Sequence, residues 1–157
     1  MEIPTTPSHP PAVHAVEAAG EKLGVALHMV PMRTVDDFDP AFETMTREHL
    51  GGFLDVASPL TFSHRAHLAA LALKHRLPGA FGFKEDAGGL MSYGADAGDL
   101  HRRAAIYIDK ILKGIKPADL PVEQASRYQL VINLKTANAL SLSMPTALMV
   151  RADEVIE

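Results

Sequence analysis

The sequence predicts an α/β fold, a parallel sheet flanked by helices, and two observations carry that prediction. Segments with apolar residues at helical spacing alternate with short apolar runs, and the joints between them are tight and marked by glycine or proline. Parallel strands need crossover connections, which helices supply, so this alternation implies helices covering a parallel sheet.

Residues 1–11 carry four of the eleven prolines and read as an arm leading into a helix, because Pro10 and Pro11 fit a first turn that needs no N–H donors. The helix follows over 12–23, with Val13, Val16 and Leu23 on one face. Gly24 stops it, and Val25–Val30 reads as a short strand. In the second unit Asp39 is the expected N-cap, Pro40 takes the first helical position, Phe42 and Met45 face inward, and Gly52–Ala57 forms the next strand. The third unit has a helix over Phe62–Arg76 with Leu68, Leu71 and Ala72 inward, then Pro78 and the apolar run Ala80–Phe83.

After Gly88 and Gly89 come a strand at Leu90–Tyr93 and a long helix over Asp96–Lys113, whose apolar face is Leu100, Ala104, Tyr107, Ile108 and Ile111. A proline-punctuated crossover, Lys116–Pro121, leads to a strand at Tyr128–Ile132, and Asn133 caps a last helix ending near Leu140. The first element is a helix with no strand ahead of it, so the lobe begins one strand late.

At 157 residues, 47% of them hydrophobic, the chain holds enough apolar material for one packed core. Its formal charge of −4 comes from interspersed acids and bases with no basic stripe, so nucleic acid is not an expected partner. The absence of cysteine excludes disulfides, thiolate zinc sites and cysteine nucleophiles. The amino terminus MEIPTTPSHPP has no basic region, apolar core or small-residue cleavage site, and no window approaches the roughly 18 apolar residues of a membrane helix. As written, the chain is expected to be cytoplasmic.

No enzyme is expected, since GxSxG, GxxxxGK[ST], HExxH and a dinucleotide fingerprint are all missing, and no cofactor is expected either. Asp36, Asp37 and Asp39 sit where acids stabilise a helix N-terminus. His64 and His67 share a helix face, with His75 about two turns on, but nothing at a recognisable spacing completes a tetrahedral set, so no metal is expected.

Four stretches stand out as words: GGLMSYG at 88–94, DLHRRAAIYIDKILKG at 99–114, KPADLPVEQ at 116–124 and LVINLKTANALSL at 130–142. Their order and spacing resemble the carboxy-terminal part of bacterial ABC-transporter substrate-binding proteins, the group with tryptophan- and tyrosine-binding members. The likeness continues more loosely through EAAGEKLGV at 17–25, DDFDPAF at 36–42 and LALKHRLPGAFGF at 71–83.

The resemblance implies a periplasmic-binding-protein fold: two α/β lobes, three hinge crossings, and a small molecule in the cleft between the lobes, presented to an ABC permease. In that plan residues 1–11 are the proline-rich arm, 12–87 the second lobe, 88–122 a return through the first lobe, and 123–157 the final crossing back. The first lobe itself is absent, so the lobe is incomplete. The apolar face of the 96–113 helix would pack on it, which leads us to expect a homodimer or a segment-exchanged oligomer. The family implies an amino-acid-like ligand, aromatic or branched, and a periplasmic or lipid-anchored location outside the inner membrane. The alternative is a homo-oligomeric ligand-sensing or interaction module with no transport role.

In this fold the ligand meets loops at the carboxyl ends of the strands. The resemblance places Ser8, Ser58, Pro59, Phe62, Phe83, Glu85 and Tyr93 there. Phe62 and Phe83 would sandwich an apolar or aromatic ligand, Ser8 and Ser58 would donate to a carboxylate, and Glu85 would accept from an amine. Ser58 and the second site serine, Ser8, are also natural helix caps, and Tyr93 also fits a hinge. The chain departs from the family in three places. Ser58-Pro59 stands where an Asp is usual, the loop Lys84–Ala87 is about two residues short, and the opening strand is missing, leaving Pro7-Ser8 as a trace of its loop.

Overall fold

The structure is a computed structural model and describes residues 9–84 and 88–157. Helix α1 spans His9–Leu23, and Gly24 ends it at a φ of 65°, which glycine adopts without steric cost. A 3₁₀ turn at Val35–Asp37 leads into α2, Phe38–Arg47. Then come β1 at Phe53–Leu54, α3 at Pro59–Ser63, α4 at Arg65–Lys74 and β2 at Gly79–Phe81. The second half holds β3 at Met91–Ala95, α5 at Ala97–Leu112, a 3₁₀ turn at Pro117–Asp119 and β4 at Tyr128–Asn133. Helices α6, Leu134–Ala139, and α7, Thr146–Met149, precede β5 at Glu154–Ile156.

The strands form one sheet in the order β1-β2-β3-β4-β5. Pairs β1–β2, β2–β3 and β4–β5 are parallel, so the α/β class and the mainly parallel sheet are as the sequence predicts. The β3–β4 pair is antiparallel, which the sequence reading did not foresee. The reason lies in α5, which is not a crossover lying on the sheet: none of its residues is buried. The chain leaves after Ala95, runs out along α5, and re-enters opposite the point where it left, with Tyr128 paired to Ala95 and the Asp96 N–H donating to the Arg127 carbonyl at 3.0 Å. A chain returning from outside beside the strand it left has to run against it.

Local chemistry explains the helix boundaries. The carboxylate of Asp37 accepts the N–H groups of Arg33 and Thr34, each at 2.8 Å, and α2 starts at Phe38, ahead of the predicted Asp39 cap. Those bonds, Arg33 first, hold the Asp37 carboxyl below its ordinary value. Ser58 caps α3, so the predicted Phe62–Arg76 helix begins earlier and is broken into α3 and α4 at His64. Helix α7 and strand β5 were not predicted.

Val25–Val30 is not a strand. Its composition suits one, but a strand exists only through pairing, and among the described residues none lies alongside it. The Val25 N–H still belongs to the end of α1, donating to the Gly20 carbonyl at 2.9 Å.

The core lies where α2 and α4 cover β1 and β2. Helix α2 buries Phe38, Ala41, Phe42 and Met45, the i, i+3, i+4, i+7 stripe of an amphipathic helix, against Leu68, Leu71 and Ala72 of α4 and against Phe81 of β2. The rings of Phe42, Phe53 and Phe81 meet edge to face at 5.2 and 5.5 Å between centroids. Each fully buried side chain of this size contributes about 1.5–3 kcal/mol. Val131 and Ile132 of β4, with Ala137 of α6 and Leu140 just after it, continue the buried layer.

Candidate functional site

Because β4 runs against β3, its amino end shares an edge of the sheet with the carboxyl ends of β1, β2 and β3. Glycines draw the loops at that edge together. A β-carbon on Gly82 would lie 2.8 Å from the Cβ of Ala57, and one on Gly94 would overlap the carbonyl oxygen of Gly82. The loop after β1, the loop after β2 and the end of β3 thus touch in sequence.

Ser58 and Pro59 follow β1. The Oγ of Ser58 accepts the Thr61 N–H at 3.1 Å, and the Thr61 Oγ1 accepts the Ser58 N–H at 2.9 Å, a reciprocal capping box with Pro59 in the first turn. Both residues of the box are buried, so the Ser58 hydroxyl acts first as a cap. Phe62, later in α3, meets Phe83 edge to face at 5.5 Å and 79°. The two rings contact each other, so a ligand would lie against the pair, whereas the sequence reading set it between them. Tyr93 on β3 is 62% exposed and stacks on Tyr128 of β4, with centroids 5.8 Å apart and planes at 22°. Ser8 and Glu85 lie outside the described residues.

Three residues at this edge escaped the sequence reading. The Arg65 guanidinium lies 4.8 Å from the centroid of the Phe62 ring, and its Nη1 donates to the Phe62 carbonyl at 2.9 Å. That leaves further donors of a planar, permanently charged fork beside an aromatic face. Tyr128 is recognisable only once β3 and β4 are paired. Asp55, directly after β1, is buried at 4% exposure, and its trace in the sequence was an acid inside the apolar run GGFLDVA.

The neck of the 96–127 excursion borders the same edge. Asp96 caps α5 by accepting the Asp99 N–H at 3.0 Å, and the Arg127 Nε lies 3.5 Å from its other oxygen. The Asp99 backbone bond, aided by Arg127 and opposed by desolvation, holds the Asp96 carboxyl below its ordinary value. Further along, Tyr107 donates to the Pro121 carbonyl at 2.7 Å and Arg103 pairs with Glu123 at 2.6 Å, tying α5 to the returning chain.

The histidines stand in other settings. The Nδ1 of His64 is 3.0 Å from the Leu60 carbonyl, His67 is 3.7 Å from Asp39, and His75 is 3.0 Å from the Thr46 hydroxyl. Among the described residues no three potential ligands converge on a metal position. No helix among them is long and apolar enough to cross a membrane.

A family model described as "ABC transporter substrate binding protein" matches residues 7–156. Among solved structures, an ABC domain in complex with L-Trp from Streptococcus pneumonia is similar at TM-score 0.83 and 24% identity, over 93% of this chain and 51% of that one. A conserved domain protein from Vibrio cholerae is similar at 0.82 and 23%, over 96% and 52%. A ligand-free, open substrate binding protein with adhesive properties from Clostridium difficile is similar at 0.68 and 16%, over 98% and 52%. At these identities the likeness shows the fold, and the chain spans about half the length of each. No curated protein matches the sequence.

Proposed function

This chain belongs to the ABC transporter substrate binding protein family, and on that premise we propose that it forms one wall of a cleft that captures an amino-acid-like solute for an importer. The observation that carries this is the arrangement of Phe62, Phe83 and Arg65 at the carboxyl edge of the sheet. An edge-to-face ring pair offers an apolar side chain a surface, and the guanidinium beside it is matched to a carboxylate. Tyr93 and Tyr128 add a second exposed aromatic surface along the same edge. The L-Trp held by the pneumococcal neighbour is a ligand of this kind. A permease completes the role in a full-length protein, with this chain as the second lobe and its return segments. In this reading Ser8, as a donor, and Glu85, as an acceptor, complete the ligand set that the sequence offers.

A thermal-shift and calorimetric screen of amino acids and small carboxylates tests it. Ligand at a hundred times its Kd adds about 2.7 kcal/mol of stability. The expected result is a shift with an aromatic or branched amino acid, lost in Phe62→Ala and weakened in Arg65→Gln, but no shift with the corresponding amino-acid amide. A flat screen on the folded protein would refute the reading.

Helix α5 favours a second reading, a homo-oligomeric module. None of its residues is buried, and Ile106, Ile108 and Leu112 are all more than half exposed. Full burial of such a side chain is worth about 1.5–3 kcal/mol, and a second copy or an exchanged segment would recover the share that exposure forfeits. Light scattering is expected to show a dimer that Ile108→Glu dissociates. A monomer at every concentration removes this reading.

A further inference from the structure

The edge-to-face contact of Phe62 and Phe83 depends on a loop that the strand ladder does not direct. The β2–β3 register ends at Phe81 and Ser92, and Gly82 then lies against Ala57 and Gly94, so close that a β-carbon on it would be 2.8 Å from the Ala57 Cβ. Phe83 and Lys84 follow beyond that register. The direction of their side chains is therefore set by what each of them touches.

Phe83 meets the ring of Phe62, which belongs to α3, the helix that follows β1. The Nζ of Lys84 pairs with the carboxylate of Glu154 on β5, the strand at the other end of the sheet. Phe81, Ser92, Val131 and Glu154 are register partners in turn, so they form one row across four strands and their side chains share a face. At about 4.8 Å per strand, Glu154 stands about 14 Å from Phe81 along that row, and the ion pair spans β3 and β4. Two adjacent side chains thus engage opposite ends of the sheet, Phe83 the helix after its first strand and Lys84 its last strand.

We infer that Lys84 and Glu154 are positioning residues for the candidate site: their ion pair draws the loop after β2 toward β5 and so holds Phe83 at the angle at which it meets Phe62. The aromatic surface is then set from the far edge of the sheet, by a strand that carries none of the residues named at the site. The two side chains are 46% and 43% exposed, so their pairing adds little to overall stability and is weakened by salt. Its effect falls on the loop and not on the fold. The purpose of this device rests on the solute reading of Phe62 and Phe83, but its test uses no solute, so a flat amino-acid screen would leave the positioning role standing.

The test measures nuclear Overhauser cross-peaks between the ring protons of Phe62 and Phe83 in the intact, solute-free chain. Those between Phe42 and Phe53, whose centroids are 5.2 Å apart in the core, serve as the internal standard. Lys84→Met and Glu154→Gln are each expected to weaken the Phe62–Phe83 cross-peaks about threefold and to leave the standard unchanged. Lys84→Arg is expected to retain them, and the exchanged pair, Lys84→Glu with Glu154→Lys, to restore them. Raising NaCl from about 0.05 to about 1 M should weaken them in the wild type and not further in Lys84→Met. Undiminished cross-peaks in both single variants overturn the inference. So does a loss that the exchanged pair fails to restore, because each side chain would then act for a reason other than their pairing. Weakening of the standard in step with the site pair also overturns it, since the change would then be a general loosening.

Discussion

Replacing Gly94 with alanine is expected to damage the protein far more than a methyl group on a surface strand normally would. The added β-carbon would overlap the carbonyl oxygen of Gly82 and lie 2.7 Å from its carbonyl carbon, with the Phe83 nitrogen at 3.5 Å. Comfortable contact needs about 3.5–4.0 Å, so β3 and the loop after β2 must part by about 2 Å. The obstacle is main chain, which no side-chain rotation relieves. Parting them strains the β2–β3 ladder at the Phe81–Ser92 pair. Overpacking costs about 1–3 kcal/mol, and weakening one or two ladder hydrogen bonds costs about 1 kcal/mol each, giving about 2–5 kcal/mol in all. The control is Gly51→Ala, where the new carbon meets nothing within 4 Å and the φ is not left-handed. Urea unfolding followed by circular dichroism measures both, with Gly51→Ala expected within about 0.5 kcal/mol of wild type. A loss below about 1 kcal/mol for Gly94→Ala would refute the close approach of these loops.

Leu68→Ala, at a fully buried position between α4 and α2, is expected to cost about 2–5 kcal/mol in the same assay, through lost burial and a residual cavity. Asp96 has a depressed carboxyl, so its contribution is fully present above the ordinary value of 3.8 and is lost as pH falls through the lower folded value. Melting temperatures taken from neutral pH down into this acid range should therefore fall less in Asp96→Ala than in wild type, and equal slopes would contradict the cap. Tyr128→Ala is expected to leave the fold intact, because its ring is half exposed, while reducing any ligand-induced thermal shift. An unchanged shift would remove Tyr128 from the candidate site.

Some of this was legible in the sequence for a physical reason. The stripes on α2 and α4 are periodic, and periodicity survives without knowledge of partners: Phe42, Met45, Leu68, Leu71 and Ala72 are all buried as expected. The same logic found α5 and its apolar face, and the structure adds that the face meets no core. What failed was whatever depends on pairing. Val25–Val30 has the composition of a strand, and among the described residues no strand lies beside it. Glu154–Ile156 looks like a charged tail and becomes a strand because the Asp153 N–H donates to Leu130 and its carboxylate accepts the Leu130 N–H at 2.8 Å. At the candidate edge, Ser58, Phe62, Phe83 and Tyr93 were reachable from loop position. Tyr128 and Arg65 were not, since each acquires its meaning from a ring on another element or turn.

The pairing of Ala95 with Tyr128 also makes the 96–127 excursion separable from the sheet that carries it. Both its ends sit on adjacent strands already in antiparallel register, the geometry that a two-residue Asn-Gly turn closes. Joining Ala95 to Tyr128 through such a turn would leave every strand of the sheet in place. The excursion is in this sense a cassette, and its length and content are free to change without asking the core to refold.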